Sequence, residues 1–305
     1  MPHNISREYE QMKSLFSASA SSAAVSEKLK TINFLCEQEI ATMHFHPISN
    51  GSTAMGKNYV VFSYAVTLLQ PDGKENKHSR PVNIDLYNAG KCVVENDRTK
   101  VDIFFDNLIN NRITDQSAED ITQALYVIAM NYCCCADLVQ GVKSNSGDYF
   151  EKFVGHLYAR HLGCEPSVSM DACELDGESI SIPTDYIFNL GPNLPKFHVP
   201  VKTSTRERCV EVWAQQRILD GAYGVGRFVC LLTCIAETNY VSKNHSVDIV
   251  CVPNQWINYQ LFIAQVKRAY YLDVPARYDA LNTRFPRIHV KPFGEFFHES
   301  AELTE

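Results

Sequence analysis

The chain has 305 residues, a hydrophobic content of 45%, a charged content of 21% and a formal net charge of −7 at pH 7. These values are typical of a water-soluble globular protein with one large domain or two small ones. The negative net charge argues against nonspecific nucleic-acid binding, although a protein that reads a sequence can confine its positive charge to one cleft. No apolar run reaches the roughly 20 residues that span a bilayer. The start of the chain lacks a secretory signal, so we expect a cytoplasmic protein without a membrane partner.

The eleven cysteines lie mostly in apolar surroundings, as at Cys230 and Cys251. No Cys-x-x-Cys pair faces a second such pair, so their spacing does not indicate structural zinc. We therefore expect reduced, buried thiols. His44 and His46 have the spacing of a metal pair but no third ligand, which favours ordinary polar roles.

Residues 1–140 predict an N-terminal α+β lobe. Low complexity indicates a linker or weak helix at 14–25, and alternation of apolar residues indicates strands. In chain order the further elements are a helix at 33–43, a strand at 59–69, a turn at 70–73, strands at 82–87 and 91–94, and a long apolar helix at 117–138.

Residues 141–305 predict a central mixed sheet flanked by helices. Asp148 and Glu151 resemble a capping box at the start of an amphipathic helix, which Gly163 ends. The further elements are strands at 164–170, 178–188 and 197–203, a helix at 206–220, strands at 225–236 and 247–252, and a helix at 256–269.

An aspartate and a lysine stand on two consecutive predicted strands, at Asp185 and Lys202. On adjacent antiparallel strands the two side chains can face each other. Hydrolysis of a phosphodiester needs a metal, an activated water and cover for negative charge, and Mg²⁺ prefers carboxylate oxygens. Glu151 is the natural candidate for a further carboxylate from a neighbouring helix. The alternatives are a cross-strand ion pair at a surface, and for Glu151 the partner of the Asp148 cap.

A cluster of charged residues follows the lysine directly, at Arg206, Glu207 and Arg208. Arginine donates two hydrogen bonds to guanine, and glutamate accepts one from cytosine. The alternative is a solvated helix start, although arginine disfavours a helix N-terminus. If the cluster reads bases, catalysis and base recognition lie in one short segment of the chain.

This segment resembles the PD-(D/E)XK nuclease core, in the version of type II restriction endonucleases that recognise a CCGG or CCNGG core. The resemblance is carried by Pro183-Thr-Asp185, Pro200-Val-Lys202 and Arg206-Glu207-Arg208, and it covers roughly residues 145–255. It implies an α/β (α+β) fold and a bacterial enzyme of a restriction-modification system. It further implies Mg²⁺ as cofactor and a homodimer, or a tetramer, on palindromic double-stranded DNA.

The resemblance implies roles for individual residues. Asp185 and Glu151 would bind the metal, Lys202 would position the attacking water, and Arg206, Glu207 and Arg208 would read two G·C pairs.

The chain departs from the family pattern at three places. Thr184 separates the usual Pro-Asp pair, and Pro200 stands where an acid normally precedes the lysine. The subgroup restores that acid twelve or thirteen residues after the lysine, where this chain has Ala214 and Gln215. Glu211 lies one helical turn earlier on the same face as Gln215, so both Gln215 and Glu211 are candidates.

Two other functions use the same features. A repair or recombination nuclease would have the same core, and a regulatory DNA-binding protein would use the arginines without cleavage. Further base contacts are expected from the N-terminal lobe, at Arg80, Lys77 or Asn110-Asn111-Arg112.

Overall fold

The computed structural model describes residues 2–51, 56–94, 97–138, 146–175 and 178–304. The helices of these ranges are α1 (Pro2–Ala18), α2 (Ala23–Ile40), α3 (Ile84–Lys91), α4 (Lys100–Ile109), α5 (Ala118–Leu138), α6 (Ser146–Leu162), α7 (Cys209–Tyr223), α8 (Pro253–Phe262), α9 (Ala276–Asp279) and α10 (Phe296–Glu299). The strands are β1 (His44–Asn50), β2 (Tyr59–Ser63), β3 (Val82–Asn83), β4 (Val93–Val94), β5 (Arg98–Thr99), β6 (Pro166–Leu175), β7 (Glu178–Phe188), β8 (Lys196–Val199), β9 (Val201–Lys202), β10 (Phe228–Cys234), β11 (Thr238–Val241), β12 (Ser246–Ile249), β13 (Val266–Tyr271) and β14 (Val290–Pro292).

The larger sheet has the order β14-β13-β10-β8-β7-β6, and β9 also pairs with β10. β10 runs parallel to β8, β9 and β13, whereas β7 is antiparallel to β6 and β8. The prediction of a central mixed sheet flanked by helices is therefore confirmed.

Side chains of β10 alternate between two layers of helices, as the period of a strand requires. Leu231 belongs to the core cluster that contains the buried faces of α5 and α6. Cys230, Leu232 and Cys234 belong to a second cluster, with Trp213 of α7 and residues of α8. The sheet thus holds α6 on one face and α7 on the other.

A second sheet has the order β11-β12-β1-β2-β3, with β1 parallel to β12 and antiparallel to β2. It combines strands from both halves of the chain. The first core cluster likewise extends from Ile5 to Leu303. The division into lobes at 1–140 and 141–305 stays a prediction.

The long helix predicted at 117–138 is confirmed as α5. Ser117 accepts the backbone N–H of Asp120 at 3.1 Å, which caps the start of the helix. α5 is long and apolar enough to cross a membrane by these two measures alone, but its side chains are buried in the core.

The predictions at 33–43 and 59–69 are wrong in part, whereas the expectation of a linker or weak helix at 14–25 is confirmed. The stretch at 14–25 holds the end of α1 and the start of α2, since serine and alanine are compatible with helix ends; Ser22 caps α2. The helix predicted at 33–43 therefore begins ten residues earlier and ends at Ile40. The strand predicted at 59–69 ends at Ser63, and the turn at 70–73 is confirmed by a hydrogen bond from Gly73 N–H to the Gln70 carbonyl.

The strand predicted at 82–87 is mostly a helix. Asn83 accepts the N–H of Leu86 at 3.3 Å and so caps α3. Asparagine is a favoured cap because its side-chain oxygen satisfies a free N–H of the first turn. The strand predicted at 91–94 is reduced to Val93–Val94.

The helix predicted at 256–269 is also wrong in its second half. α8 begins at Pro253 and ends at Phe262, and Val266–Tyr271 forms a strand parallel to β10. Pairing between two neighbouring strands overrides a local pattern that fits a helix. β11 and the elements after Tyr271 were not predicted.

The capping-box interpretation of Asp148 is wrong as well, because α6 begins at Ser146 and Asp148 lies inside its first turn. Asp148 instead accepts hydrogen bonds from Tyr9 and from Lys152. The predicted end at Gly163 is confirmed, since this residue has a φ of +66°.

Ten cysteines lie in the part of the structure where side chains are described, all as free thiols. Eight of them are buried, as expected; Cys92 is exposed and Cys164 is half-buried. His46 donates through Nε2 to the Ala65 carbonyl at 3.1 Å, which is an ordinary polar role.

Candidate active site

Asp185 and Lys202 are in direct contact at the carboxyl ends of the central strands. Lys202 Nζ lies 3.1 Å from Asp185 Oδ2, with 23% and 19% of the two side chains exposed. The same carboxylate oxygen accepts the backbone N–H of Val201 at 2.7 Å. Asp185 is therefore held in place from the backbone while its charge stays open to solvent.

The break between β8 and β9 explains how the two residues meet. The antiparallel ladder between β7 and β8 ends at the pair Tyr186–Val199. Pro200 follows and has no N–H to continue the ladder, and Val201–Lys202 pairs instead with β10. Asp185 thus lies where the strands part, and the freed N–H of Val201 bonds to its side chain. The contact predicted for a continuous ladder exists, but across this break.

Glu151 approaches the pair from α6. Burial raises the pKa of the half-buried Glu151 carboxyl, and the negative charge of Asp185 raises it further. Lys152 and Lys202 act in the opposite direction but do not cancel the shift. Glu151 is therefore within electrostatic reach of both residues of the contact, and it is not the partner of an Asp148 cap, because Asp148 lies inside α6.

The donor set fits a hard divalent cation. The charge of Asp185 raises the pKa of Glu151, and Lys152 and Lys202 do not offset that rise, so the site can accept a further positive charge. In the described ranges no group of three or more His, Cys, Asp or Glu side chains is arranged to hold a metal. Mg²⁺ needs only one or two protein carboxylates, because waters and substrate phosphate complete its shell. Asp185 and Glu151 would hold it.

The two candidates for the missing acid differ in position on α7. Gln215 Nε2 donates to the Pro183 carbonyl at 3.3 Å, two residues before Asp185. Glu211 is exposed and forms no hydrogen bond or ion pair with the described residues. The structure therefore brings Gln215, rather than Glu211, to the strand that carries Asp185.

The predicted base-reading cluster forms a short 3₁₀ turn, Arg206–Arg208, immediately before α7. Both arginines are exposed, and Arg206 donates through Nη2 to the Thr238 carbonyl at 3.2 Å. Arg206 has a φ of +37°, in the left-handed region that costs energy for a residue with a side chain. The side chain of Glu207 lies outside the described part of the structure.

A buried carboxylate that was not predicted holds this turn. Glu237, 1% exposed, accepts hydrogen bonds from the side chains of Ser204 and Thr205, both at 2.6 Å. It also accepts the backbone N–H groups of Thr205 at 2.9 Å and Arg206 at 3.3 Å. The one feature of the sequence that points to Glu237 is its position directly after the apolar stretch 225–236, at the end of a buried strand.

Arg206 and Arg208 line a polar cleft of about 700 Å³ together with Thr203 and Ser204. Residues 78–81, from the first half of the chain, form another part of its lining. The cleft thus begins directly after Lys202 and carries exposed positive charge.

Some of the N-terminal residues that were expected to contact bases form hydrogen bonds within the protein instead. Arg80 forms a bidentate pair with Asp137, both bonds at 2.8 Å, and also donates to Ser146 at 2.7 Å. Lys77 is exposed and donates to the Leu138 carbonyl at 3.3 Å. Arg112 is exposed. Arg80 therefore joins the ends of α5 and α6, whereas Lys77 and Arg112 present their charge outward.

Compared by sequence, the chain matches no protein-family model and no curated protein. Compared by structure, it is similar to the crystal structure of the type IIP restriction endonuclease Kpn2I, with a TM-score of 0.74 and 20% identity over 100% of this chain and 98% of that chain. It is also similar to the restriction endonuclease PspGI in complex with substrate DNA, with a TM-score of 0.39 and 14% identity over 72% and 87% of the two chains. The match to Kpn2I covers nearly all of both chains, so this protein shares the fold of that restriction endonuclease, and its mixed sheet flanked by helices agrees with the expected fold class.

Proposed function

We propose that this protein is a Mg²⁺-dependent type II restriction endonuclease. It would hydrolyse double-stranded DNA at a short palindromic site with a CCGG or CCNGG core. One observation carries the proposal: the contact between Asp185 and Lys202, with Glu151 within electrostatic reach, lies four residues from an exposed arginine turn. The full-length likeness of the fold to Kpn2I supports it.

Each residue of the site has a distinct task in hydrolysis. Mg²⁺, when bound, supplies charge neutralisation at the phosphate and a more acidic water. Asp185 and Glu151 hold the cation with hard oxygen ligands. Lys202 directs its ammonium group at the attacking water or the scissile phosphate, and Asp185 keeps that group in place at 3.1 Å. Gln215 braces the strand of Asp185 through the Pro183 carbonyl.

Arg206, Glu207 and Arg208 supply base readout in this proposal. Two arginines donate to guanine and one glutamate accepts from cytosine, which matches two neighbouring G·C pairs. A homodimer with two-fold symmetry presents the same trio to both halves of a palindrome. The bacterial cytoplasm is the expected location of such an enzyme.

One incubation tests the proposal against its two alternatives. Purified protein is mixed with plasmid DNA in Mg²⁺, and the ends of the products are sequenced. Discrete bands with one common end sequence support a restriction endonuclease. A smear or cleavage only at junctions indicates a repair or recombination nuclease, and intact DNA indicates a non-cleaving binder. Lys202→Met and a reaction in chelator are the matched controls, since both must leave the plasmid uncut.

A further inference from the structure

Glu237 is a buried carboxylate that accepts most of its hydrogen bonds from one loop, residues 204–206. It follows β10, and its side chain is 1% exposed. A buried charge is tolerated only when hydrogen bonds replace its hydration. Four groups of residues 204–206 donate to it, and the hydroxyl of Tyr271 donates the remaining bond at 2.8 Å.

These bonds make Glu237 a helix cap supplied from a distant part of the chain. Neither Thr205, before the 3₁₀ turn, nor Arg208, before α7, makes a side-chain capping bond of its own. The first N–H groups of a helix need an acceptor, and a carboxylate is a strong one. The N–H groups of Thr205 and Arg206 find theirs in Glu237.

The strands beneath the loop bring Glu237 to this place. Cys234 pairs with Lys202 in the parallel ladder between β10 and β9. The ladder continues past the strand ends, because Ile235 N–H donates to the Lys202 carbonyl and Ala236 N–H to that of Thr203, both at 3.3 Å. Glu237 therefore stands in register with Thr205, and the loop is fixed relative to Lys202.

Arg206 needs this support, because its backbone is left-handed. A residue with a side chain adopts such a conformation only when its surroundings determine it. Glu237 accepts the N–H of Arg206, and the next residue, Thr238, accepts from its guanidinium through the backbone carbonyl. Backbone and side chain of Arg206 are thus both held by two consecutive residues.

We propose that Glu237 is a positioning residue for sequence specificity: it fixes the backbone of residues 204–206, so that Arg206–Arg208 is presented in one orientation beside Lys202. This inference rests on the proposed function, since it assumes that the arginine turn reads bases. Glu237 itself touches neither DNA nor metal in this arrangement.

The test is the ratio of kcat/KM for a cognate oligonucleotide to kcat/KM for sites with one core base pair replaced. Glu237→Gln keeps the size of the side chain. The amide has one acceptor oxygen, however, whereas the loop donates hydrogen bonds to both oxygens of the carboxylate. We expect that ratio to fall about tenfold or more, because a displaced bidentate contact loses much of its discrimination. If Glu237 has only a structural role, the substitution lowers kcat/KM for all DNA sequences alike and leaves the ratio unchanged. That result would overturn the proposal.

Glu299→Gln is the matched control for the loss of a buried carboxylate. Glu299 is 6% exposed and accepts bonds from Arg268, Tyr270 and Lys291, away from the arginine turn. Thermal unfolding of both variants gives the loss of stability, and the discrimination ratio should fall only in Glu237→Gln. An equal fall in both variants would assign the effect to lost stability and overturn the proposal.

Thr205→Val keeps the inference testable if Glu237→Gln does not fold. Valine is close in shape to threonine, and the substitution removes the 2.6 Å bond from the Thr205 hydroxyl to Glu237 together with the contact of that hydroxyl with Tyr278. We expect a smaller fall of the same ratio, and an unchanged ratio would contradict the proposal. Failure of the proposed function is a separate result, because the wild-type protein would then show no preferred site at all.

Discussion

Lys202 Nζ lies 3.1 Å from Asp185 Oδ2, and the oxygen that receives it is already held by the N–H of Val201 at 2.7 Å. The aspartate is thus fixed by the backbone, and the lysine by the aspartate. A carboxylate held in this way needs little reorganisation when it binds a cation, which is the arrangement that favours catalysis.

Catalysis should depend on both residues of this contact. We expect Asp185→Asn and Lys202→Met each to lower the cleavage rate by about 10²–10³-fold or more, as loss of a charge-stabilising group does. Binding to the specific site should remain largely intact, because neither residue reads a base. Single-turnover cleavage and a binding titration on the same oligonucleotide measure the two effects. Cleavage near the wild-type rate by either variant would refute the assignment.

Removal of the Glu151 charge should stabilise the metal-free protein while it abolishes Mg²⁺ binding. Burial and the charge of Asp185 raise the pKa of Glu151, so the folded state favours its protonated form. The corresponding stability is present below the unfolded pKa and is lost as the pH rises through the folded pKa. At pH 7–8 in chelator, Glu151→Gln should therefore have a higher free energy of unfolding than the wild type. The stabilisation by added Mg²⁺ should be lost in the variant.

Asp148→Asn is the control for this experiment, with the opposite expected sign. Burial raises the pKa of Asp148, but hydrogen bonds from Lys152 and Tyr9 outweigh that effect and hold it below its usual range. Loss of that charge should lower the free energy of unfolding at neutral pH. Equal destabilisation of both variants in chelator would contradict the raised pKa of Glu151, and stabilisation of Glu151→Gln by Mg²⁺ would remove this residue from the metal site.

We propose Gln215, rather than Glu211, for the position at which the resemblance implies an acid on the helix after the lysine. Gln215 bonds to the strand of Asp185, whereas Glu211 is exposed. We expect Gln215→Ala to lower the cleavage rate about tenfold or more, by release of the strand that holds the metal ligand. Glu211→Ala should have a smaller effect at equal protein stability. The reverse order would identify Glu211 as the replacement.

Stability should fall with acid between pH 6.5 and 4, in part through His156. Burial lowers the pKa of His156 to about 4, and the ring bonds to Ser26 and to the Ala20 carbonyl. In the unfolded chain this histidine takes up its proton near pH 6.5. Its contribution to the free energy of unfolding therefore decreases as the pH falls from 6.5 toward the pKa of the folded state, by up to about 3 kcal/mol. The wild type should lose more free energy of unfolding between pH 7 and pH 5 than His156→Gln does. Parallel losses in denaturant titrations at the two pH values would exclude His156 as a source.

The parts of the site that could be predicted are those close together in the sequence. Asp185, Lys202 and Arg206 lie within one segment of 22 residues, and the local pattern already indicates two strands and a following helix. Glu237 escaped prediction because its contact with Thr205 depends on the parallel register of β9 and β10, which no local pattern reveals.

One error in the fold has the same origin. Val266–Tyr271 continues an apolar pattern that fits a helix, and only its place between β10 and β14 makes it a strand. At Asn83 the deciding feature was local, since asparagine favours a helix cap over a strand interior. The alternation of apolar residues at 82–87 fits a strand, but the cap at Asn83 favours a helix.

Base readout by Arg206 and Arg208 gives the sharpest test of the proposed function. Both side chains are exposed on a turn whose backbone is held against the strand of Lys202, so they can enter the major groove while the lysine stays at the phosphate. Loss of one bidentate contact should cost about 1–3 kcal/mol of discrimination at a single base pair. A phosphate contact would instead weaken binding to all sequences alike and lower the salt dependence. Binding of Arg206→Ala and Arg208→Ala is therefore measured on the cognate site and on each single core substitution, with Arg7→Ala as an exposed arginine that has no expected contact with DNA. If both turn variants lose affinity uniformly with base preference unchanged, the arginines anchor the backbone and do not read the sequence.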